Sequence, residues 1–381
     1  MKGEGKMTAR ERFLASLNHE EPDRVPVLAT LTPQVAEKLG REMNLPWKPK
    51  DSWLSDRISY TEILLELGND AVLIGPTRAK YNPTYWKGSN LIDEFGFVYK
   101  KVGLYDEIIK RPLTTIETAE EVSRFRMPDP LAAGRWDLAE KQIRRYKENF
   151  AIVGDLETTI FELSWNLVGM EKFFMDLVVE KPYVFALMDK VLEYHFACGK
   201  KMIELGVDMI WTGDDFGTQK GMMISPNLWR EVFKLRMQHL FKEFKRINPK
   251  VKIAYHSCGS IVPIIPDLIE IGVDVLNPIQ PQAKGMKLGR LKQKFGDKLG
   301  FFGGVDEQKI LPFGSIQEIE EEVKLRIAQA GEGGGFIIAP AHNIQPDTPL
   351  QNIYAYFEAV KKYGTYPIIF SPHQGWGRGF Q

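Results

Sequence analysis

Only two of the 381 residues are cysteine, Cys198 and Cys258, which excludes a disulfide framework and leaves each thiol to be judged by its surroundings. Charge of one sign is also missing. Lys plus Arg and Asp plus Glu each total 50, so no net field draws the chain to nucleic acid or anionic lipid, and neither partner is expected. No apolar run of about 18 residues is long enough to span a bilayer. The stretch from Met1 to Arg12 is charged and lacks the apolar segment of a signal peptide, so the expected location is the cytoplasm. The absence of a G-x-S-x-G elbow and of a P-loop argues against serine hydrolase and P-loop nucleotide chemistry. No internal repeat or low-complexity tract is evident.

What is present reads as a folded globular chain, 44% hydrophobic and 26% charged. Short apolar runs rich in β-branched or small residues recur at Val25 to Thr30, Ala71 to Gly75, Phe150 to Val153, Asp208 to Thr212, Val251 to Tyr255, Val273 to Asn277, Leu299 to Gly303 and Phe336 to Ala339. Between most of them, apolar residues return at spacings of three and four, as in Ile316, Ile319, Val323 and Ile327, which predicts helices. Strands alternating with helices pair in parallel, and eight of them suit a (β/α)₈ TIM barrel; a doubly wound open sheet is the alternative. A capped helix over Thr8 to Glu20 is expected below the barrel. The long stretch from Pro76 to Asn149 reads as a loop insertion after the second strand, with a hairpin over Leu91 to Gly103 around Gly96. The expectation is one domain over residues 1–381, with insertion 76–149 at a barrel mouth.

Barrel enzymes take their reactive groups from the C-terminal ends of the strands, which directs attention to the polar residues after each apolar run. These are Asp155 and Glu157, Asp214 and Asp215, His256 and Cys258, Asn277 and Gln280, Asp306, and His342 with Asn343. Residues two apart in an extended segment project to one side, so His256 and Cys258 can meet one zinc ion, with His342 as the natural third ligand. The bland alternative is a buried thiol beside a hydrogen-bonded imidazole. Asp214 and Asp215 are either acceptors or bases for catalysis, or a capping pair in the Gly213 to Gly217 loop. Glu157 is either a mouth carboxylate or a first-turn helix acid. Asn277, Asp306 and Asn343 are candidates for substrate contact. The glycines from Gly331 to Gly335 follow a helix and precede a strand, the wrong order for a phosphate cradle. Cys198, beside His195, reads as packing or surface, and His19, His239 and His373 have no identifiable partner.

Several segments together resemble the uroporphyrinogen decarboxylase superfamily: Thr8-Ala-Arg-Glu-Arg-Phe13, Glu21-Pro-Asp-Arg-Val-Pro26, Ser225-Pro-Asn-Leu-Trp-Arg-Glu231, His256-Ser-Cys-Gly259 and Pro346-Asp-Thr-Pro-Leu350. The resemblance implies a (β/α)₈ barrel and one of two chemistries, cofactor-free decarboxylation or zinc-dependent methyl exchange with a corrinoid protein. Decarboxylases of this kind carry an Arg-Gln-Ala-Gly-Arg-Tyr segment whose arginines meet carboxylates. Here the matching Thr30-Leu-Thr-Pro-Gln34 has no arginine, and the bidentate fork is lost. The methyltransferase branch is similar in its His-x-Cys and in a third ligand before the Pro-x-Thr-Pro segment, which maps onto His256, Cys258 and His342.

Thiol-methylating members carry cysteine at the position of His342. Imidazole in place of thiolate raises the formal charge at zinc from zero to plus one, which suits an oxygen leaving group. The resemblance therefore implies an O-demethylase methyltransferase. Such an enzyme moves a methyl group from a methoxylated, most plausibly aromatic, substrate to a cobalamin-type corrinoid on a partner protein. Methylation of a thiol, and decarboxylation, stay open as alternatives, as does the oligomeric state, homodimer included.

Overall fold

The computed structural model describes residues 7–50, 56–81, 85–102 and 105–369. Its strands, in chain order, are β1 (Ala71–Ile74), β2 (Tyr85–Lys87), β3 (Asn90–Ile92), β4 (Val98–Val102), β5 (Tyr105–Lys110), β6 (Ala151–Glu157), β7 (Met209–Gly213), β8 (Lys252–His256), β9 (Val275–Asn277), β10 (Gly300–Val305) and β11 (Phe336–Pro340). The main sheet runs β1-β6-β7-β8-β9-β10-β11, parallel throughout. Helices separate its strands, among them Pro182–Leu205, Leu235–Ile247, Leu288–Phe295 and Ile316–Ala330. The expected order of strand and helix is therefore present in seven of the eight runs.

Period-two alternation explains how each strand is held. Ala71 and Leu73, Ala151 and Val153, Met209 and Trp211, Ala254, Val275, Phe302, and Ile337 with Ala339 form one inner cluster. Their neighbours Val72, Ile152, Ile210, Ile253, Leu276, Phe301 and Ile338 join the larger cluster beneath the helices. The helix Ala9–Leu17 adds Phe13 and Leu17 to the inner cluster, and Thr8 with Glu11 closes a capping box at its start.

The first apolar run differs from expectation: it makes isolated bridges, Val27 to Ile338 and Leu31 to Ile344, and no ladder. Pro26 has no N–H to give a ladder. On the β1 side, side chains add to a single backbone bond, from Asp70 N to Val27 O at 2.8 Å. Asn69 Oδ1 accepts from Ala29 N and its Nδ2 donates to Ala29 O, both at 2.9 Å, while Asp70 Oδ2 accepts from Val27 N at 2.8 Å. The sheet thus has seven strands, with the run starting at Val25 lying across the seam between its two edges.

A pattern that sequence reading missed sits at the opposite end from the mouth. Gly68-Asn-Asp70, Gly206-Val-Asp208 and Gly272-Val-Asp274 each join a helix to a strand. Each aspartate accepts a backbone N–H from the neighbouring strand segment: Val27, Ile152 and Ile253 at 2.8, 2.9 and 2.7 Å. Each also pairs with a cation, Asp70 with Arg12 and Arg24, Asp208 with Arg10, and Asp274 with Lys245. The device pins strand register at the floor.

The insertion contains the expected hairpin, β3 with β4 around Gly96, and two further strands that make an antiparallel sheet β2-β3-β4-β5. It is anchored through buried Phe95, whose ring meets Tyr194 of the helix Pro182–Leu205 edge-on at 5.7 Å, and is tied together within itself by the buried Arg135–Glu94 pair. Among the described residues no helix is long and apolar enough to cross a membrane.

Candidate metal centre

β8 ends at His256, and the chain then turns through Ser257, Cys258 and Gly259. Two close approaches set this loop against the one after β7. A Cβ on Gly213 would lie 2.0 Å from the His256 carbonyl oxygen, and one on Gly259, at φ +75°, would lie 2.5 Å from the Gly217 backbone. The loops therefore pack backbone to backbone, bringing Asp215 beside the His256–Cys258 pair.

The ligand-type atoms of Asp215, His256 and Cys258 all lie within 4.8 Å of one another. Cys258 Sγ is 3.5 Å from His256 Nε2, and Asp215 Oδ1 is also 3.5 Å from that nitrogen. Cys258 N donates to Asp215 Oδ1 at 2.7 Å, and Gln280 Nε2 reaches the sulfur at 3.5 Å while its Oε1 accepts from Gly259 N.

The tautomer of His256 follows from its neighbours. Trp211 Nε1 is a donor only, and it points at the Asn277 side-chain atom that also contacts His256 Nδ1, at 3.1 and 2.6 Å. That atom must be the acceptor, Oδ1, an assignment that Asn277 Nδ2 supports by donating to Phe302 O at 3.1 Å. His256 therefore carries its proton on Nδ1 and turns the Nε2 lone pair toward Cys258 and Asp215. An oriented imidazole of this kind is what metal-binding histidines require.

The remaining candidates take distinct places. Asp214 is fully buried and accepts from Ile160 N and Glu162 N, capping the helix Phe161–Val168 from the next strand; burial pushes its carboxyl up to about 6 against those hydrogen bonds. Glu157 pairs with Arg57 at 2.6 Å, and Asp155 lies 3.7 Å from the same guanidinium. Asp306 accepts from Gln308 N and Lys309 N in its own turn. Asn277 is committed to His256, Trp211 and Phe302. His342 and Asn343 line a cavity of about 10 Å³ together with His256, Arg57, Trp211, Asn277 and Phe302. His342 shares that space with His256 but lies outside the compact Asp215–His256–Cys258 group, and burial, with His256 and Arg57 nearby, holds its imidazole below the usual range. Asn343 Oδ1 accepts from Thr30 Oγ1 at 2.5 Å. His373 lies outside the described residues.

Two contributors were not found from sequence. Arg57 belongs to a short helical turn with no apolar run to flag it, yet it is buried at the mouth with its guanidinium 4.2 Å from the Trp211 ring centre. Glu162 follows the strand run by a helix turn; burial, then Asp215 and Asp214, push its carboxyl up to about 9, and its Oε2 accepts from Asp215 N.

The donor set suits zinc: an oriented imidazole, a thiol and a carboxylate converge. Burial and Asp215 together push the Cys258 thiol up, the situation that a cation between them reverses. His256, Cys258 and either Asp215 or His342 are the residues able to hold the ion.

Comparisons with known proteins agree with the fold and the family. The sequence model described as uroporphyrinogen decarboxylase (URO-D) matches residues 107–363, and the chain belongs to that family. Over 216 residues it is 27% identical to the methylcobamide:CoM methyltransferase MtaA of Methanosarcina barkeri, covering 56% of this chain and 58% of that protein. Over 250 residues it is 21% identical to a methylated-thiol–coenzyme M methyltransferase of Methanosarcina mazei, covering 66% and 62%. The chain thus spans about three fifths of the length of these relatives. Among solved structures, a methyltransferase from Methanosarcina mazei superposes with a TM-score of 0.68 at 22% identity, over 94% of this chain and 99% of that one, a likeness of fold.

Proposed function

We propose that this member of the uroporphyrinogen decarboxylase family is a zinc-dependent methyltransferase that exchanges a methyl group between a corrinoid on a partner protein and a small substrate. The observation that carries the reading is the His256–Cys258–Asp215 convergence, with His256 held in its metal-binding tautomer by Asn277. Zinc bound there supplies Lewis acidity that keeps a substrate sulfur or oxygen anionic. The chain's own residues do the rest. Asn277 aims His256, Gln280 and the Asp215–Cys258 N hydrogen bond fix the thiol loop, and Arg57 pairs with Glu157. A free cysteine at the site needs a reducing compartment, which supports the cytoplasm as its place of work.

The identity of the third ligand decides the direction. With His256, Cys258 and His342 alone, zinc keeps a formal charge of plus one and favours an oxygen leaving group, the O-demethylation of a methoxylated aromatic compound. With Asp215 bound, the two anions cancel the charge and favour a thiolate nucleophile. Asp215 lies inside the compact group and His342 outside it. This supports a thiol as methyl acceptor: the carbon–cobalt bond breaks with its electron pair left on cobalt, and a sulfur–carbon bond forms. The names of the relatives favour the same direction. The ether reading retains the support of His342 and Asn343, which line the small cavity beside His256.

The assay follows methylcobalamin absorbance. Its decay with a panel of small thiols is expected, and its growth from cob(I)alamin with methoxybenzenes would reverse the direction. Silence in both, with zinc bound, would remove the methyltransferase reading.

A further inference from the structure

A second, larger cavity of about 680 Å³ lies at the other end of the sheet, among the residues that precede or begin β7, β8 and β9 and the helix Ala9–Leu17. Its lining carries Arg10, Lys147, Lys245, Lys250 and Lys252 against Asp208 and Asp274. Arg10 pairs with Asp208 at 2.7 Å and Lys245 with Asp274 at 2.5 Å, so these four cancel in pairs. Lys147, Lys250 and Lys252 remain, and no ion pair to any of them is found among the described residues. The Lys147 ammonium is turned inward, since a Cβ on Gly206 of the cavity wall would meet its Nζ at 2.4 Å.

Three like charges around one concavity repel one another and focus a positive potential into it. Attraction to helix C-termini explains Lys147, which follows the helix Asp137–Tyr146, but not Lys252, the first residue of β8. We propose that this floor cavity binds a small molecule through a di- or triphosphate group, the ammonium groups of Lys147, Lys250 and Lys252 meeting the phosphate oxygens. The volume falls in the range of small-ligand sites. The strands that end at His256 and lead to Asp215 begin at this cavity, so an occupant here would brace the metal loops from below. The proposal is independent of the reaction at the mouth.

The test is calorimetric titration with inorganic pyrophosphate and, separately, ATP, at low and at physiological ionic strength. One saturable site per chain is expected, weakened tenfold or more in the Lys147→Gln/Lys252→Gln double variant and unchanged in Lys294→Gln, which lies outside the cavity. Thermal midpoints establish that the variants are folded, and Lys147→Arg/Lys252→Arg should retain binding. Tighter binding of ATP than pyrophosphate would assign the occupant as a nucleotide. Absence of saturable binding to the unaltered protein, or equal weakening in the double variant and Lys294→Gln, would overturn the proposal.

Discussion

The two ends of the parallel sheet use the same residue types for opposite purposes. At the floor, Asp70, Asp208 and Asp274 each accept a backbone N–H and each face an arginine or lysine, so their charge is consumed by the fold. At the mouth, Asp215 faces an imidazole and a thiol, while Asp214, one residue earlier, is spent on a helix start. An aspartate at a strand end is therefore not a functional signal in itself. What separates the two kinds is how fully the protein has already satisfied the carboxylate: each floor aspartate has a cation as well as a backbone N–H, Asp214 accepts two backbone N–H groups, and Asp215 accepts one, from Cys258, and otherwise meets the imidazole and the thiol.

The largest effect that would test this contrast is on stability. Asp70 is buried between Arg12 and Arg24, and Asp70→Ala leaves two guanidinium groups without it, an expected loss of about 3 to 5 kcal/mol in urea unfolding. A loss below about 1 kcal/mol would mean that the floor aspartates do not hold the seam. Next comes Asn277→Ala, which frees the His256 ring. Zinc affinity should fall about 10- to 100-fold by competition with a chromophoric chelator, whereas Asp306→Ala, which removes only a local turn cap, should leave it alone. Equal effects from the two variants would erase the distinction between orienting and capping groups.

Smaller still is the difference between neighbours: Asp214→Ala should lower stability by about 1 kcal/mol through the lost helix cap, with metal binding intact, and Asp215→Ala should do the reverse. The smallest effect concerns pH. Burial pushes the fully buried His195 imidazole down to about 4. The unfolded chain takes up that proton near pH 6.5 and the folded chain does not, so the stability present above pH 6.5 is lost as pH falls toward 4. The slope is at most about 1.4 kcal/mol per pH unit. The unfolding midpoint of His195→Gln should lose that slope, and an unchanged profile would place the acid sensitivity elsewhere.

Much of this was legible in the chain. Seven of the eight apolar runs are strands because alternation and β-branching act locally, and the polar residues that follow them gather at one end because parallel pairing forces them there. His256 and Cys258 are neighbours for the simplest reason, a spacing of two. The first run was misjudged as a regular strand because its pairing depends on Asn69 and Asp70, forty residues away. Arg57 was invisible for a related reason: its partners Glu157 and Trp211 are remote in sequence. The commitment of Asn277 to His256 and Trp211, and of Asp214 to a helix start, likewise depends on which strands are adjacent, information that spacing does not carry. Cys198, open to either packing or the surface on spacing alone, is fully buried, as is His195 beside it.

The central claim is that the mouth holds a metal, and elemental analysis of protein purified without added metal tests it most directly. The account predicts about one zinc per chain, with the metal lost in Cys258→Ala while that variant keeps its fold. Less than a tenth of an equivalent of any transition metal in folded, unaltered protein would contradict it.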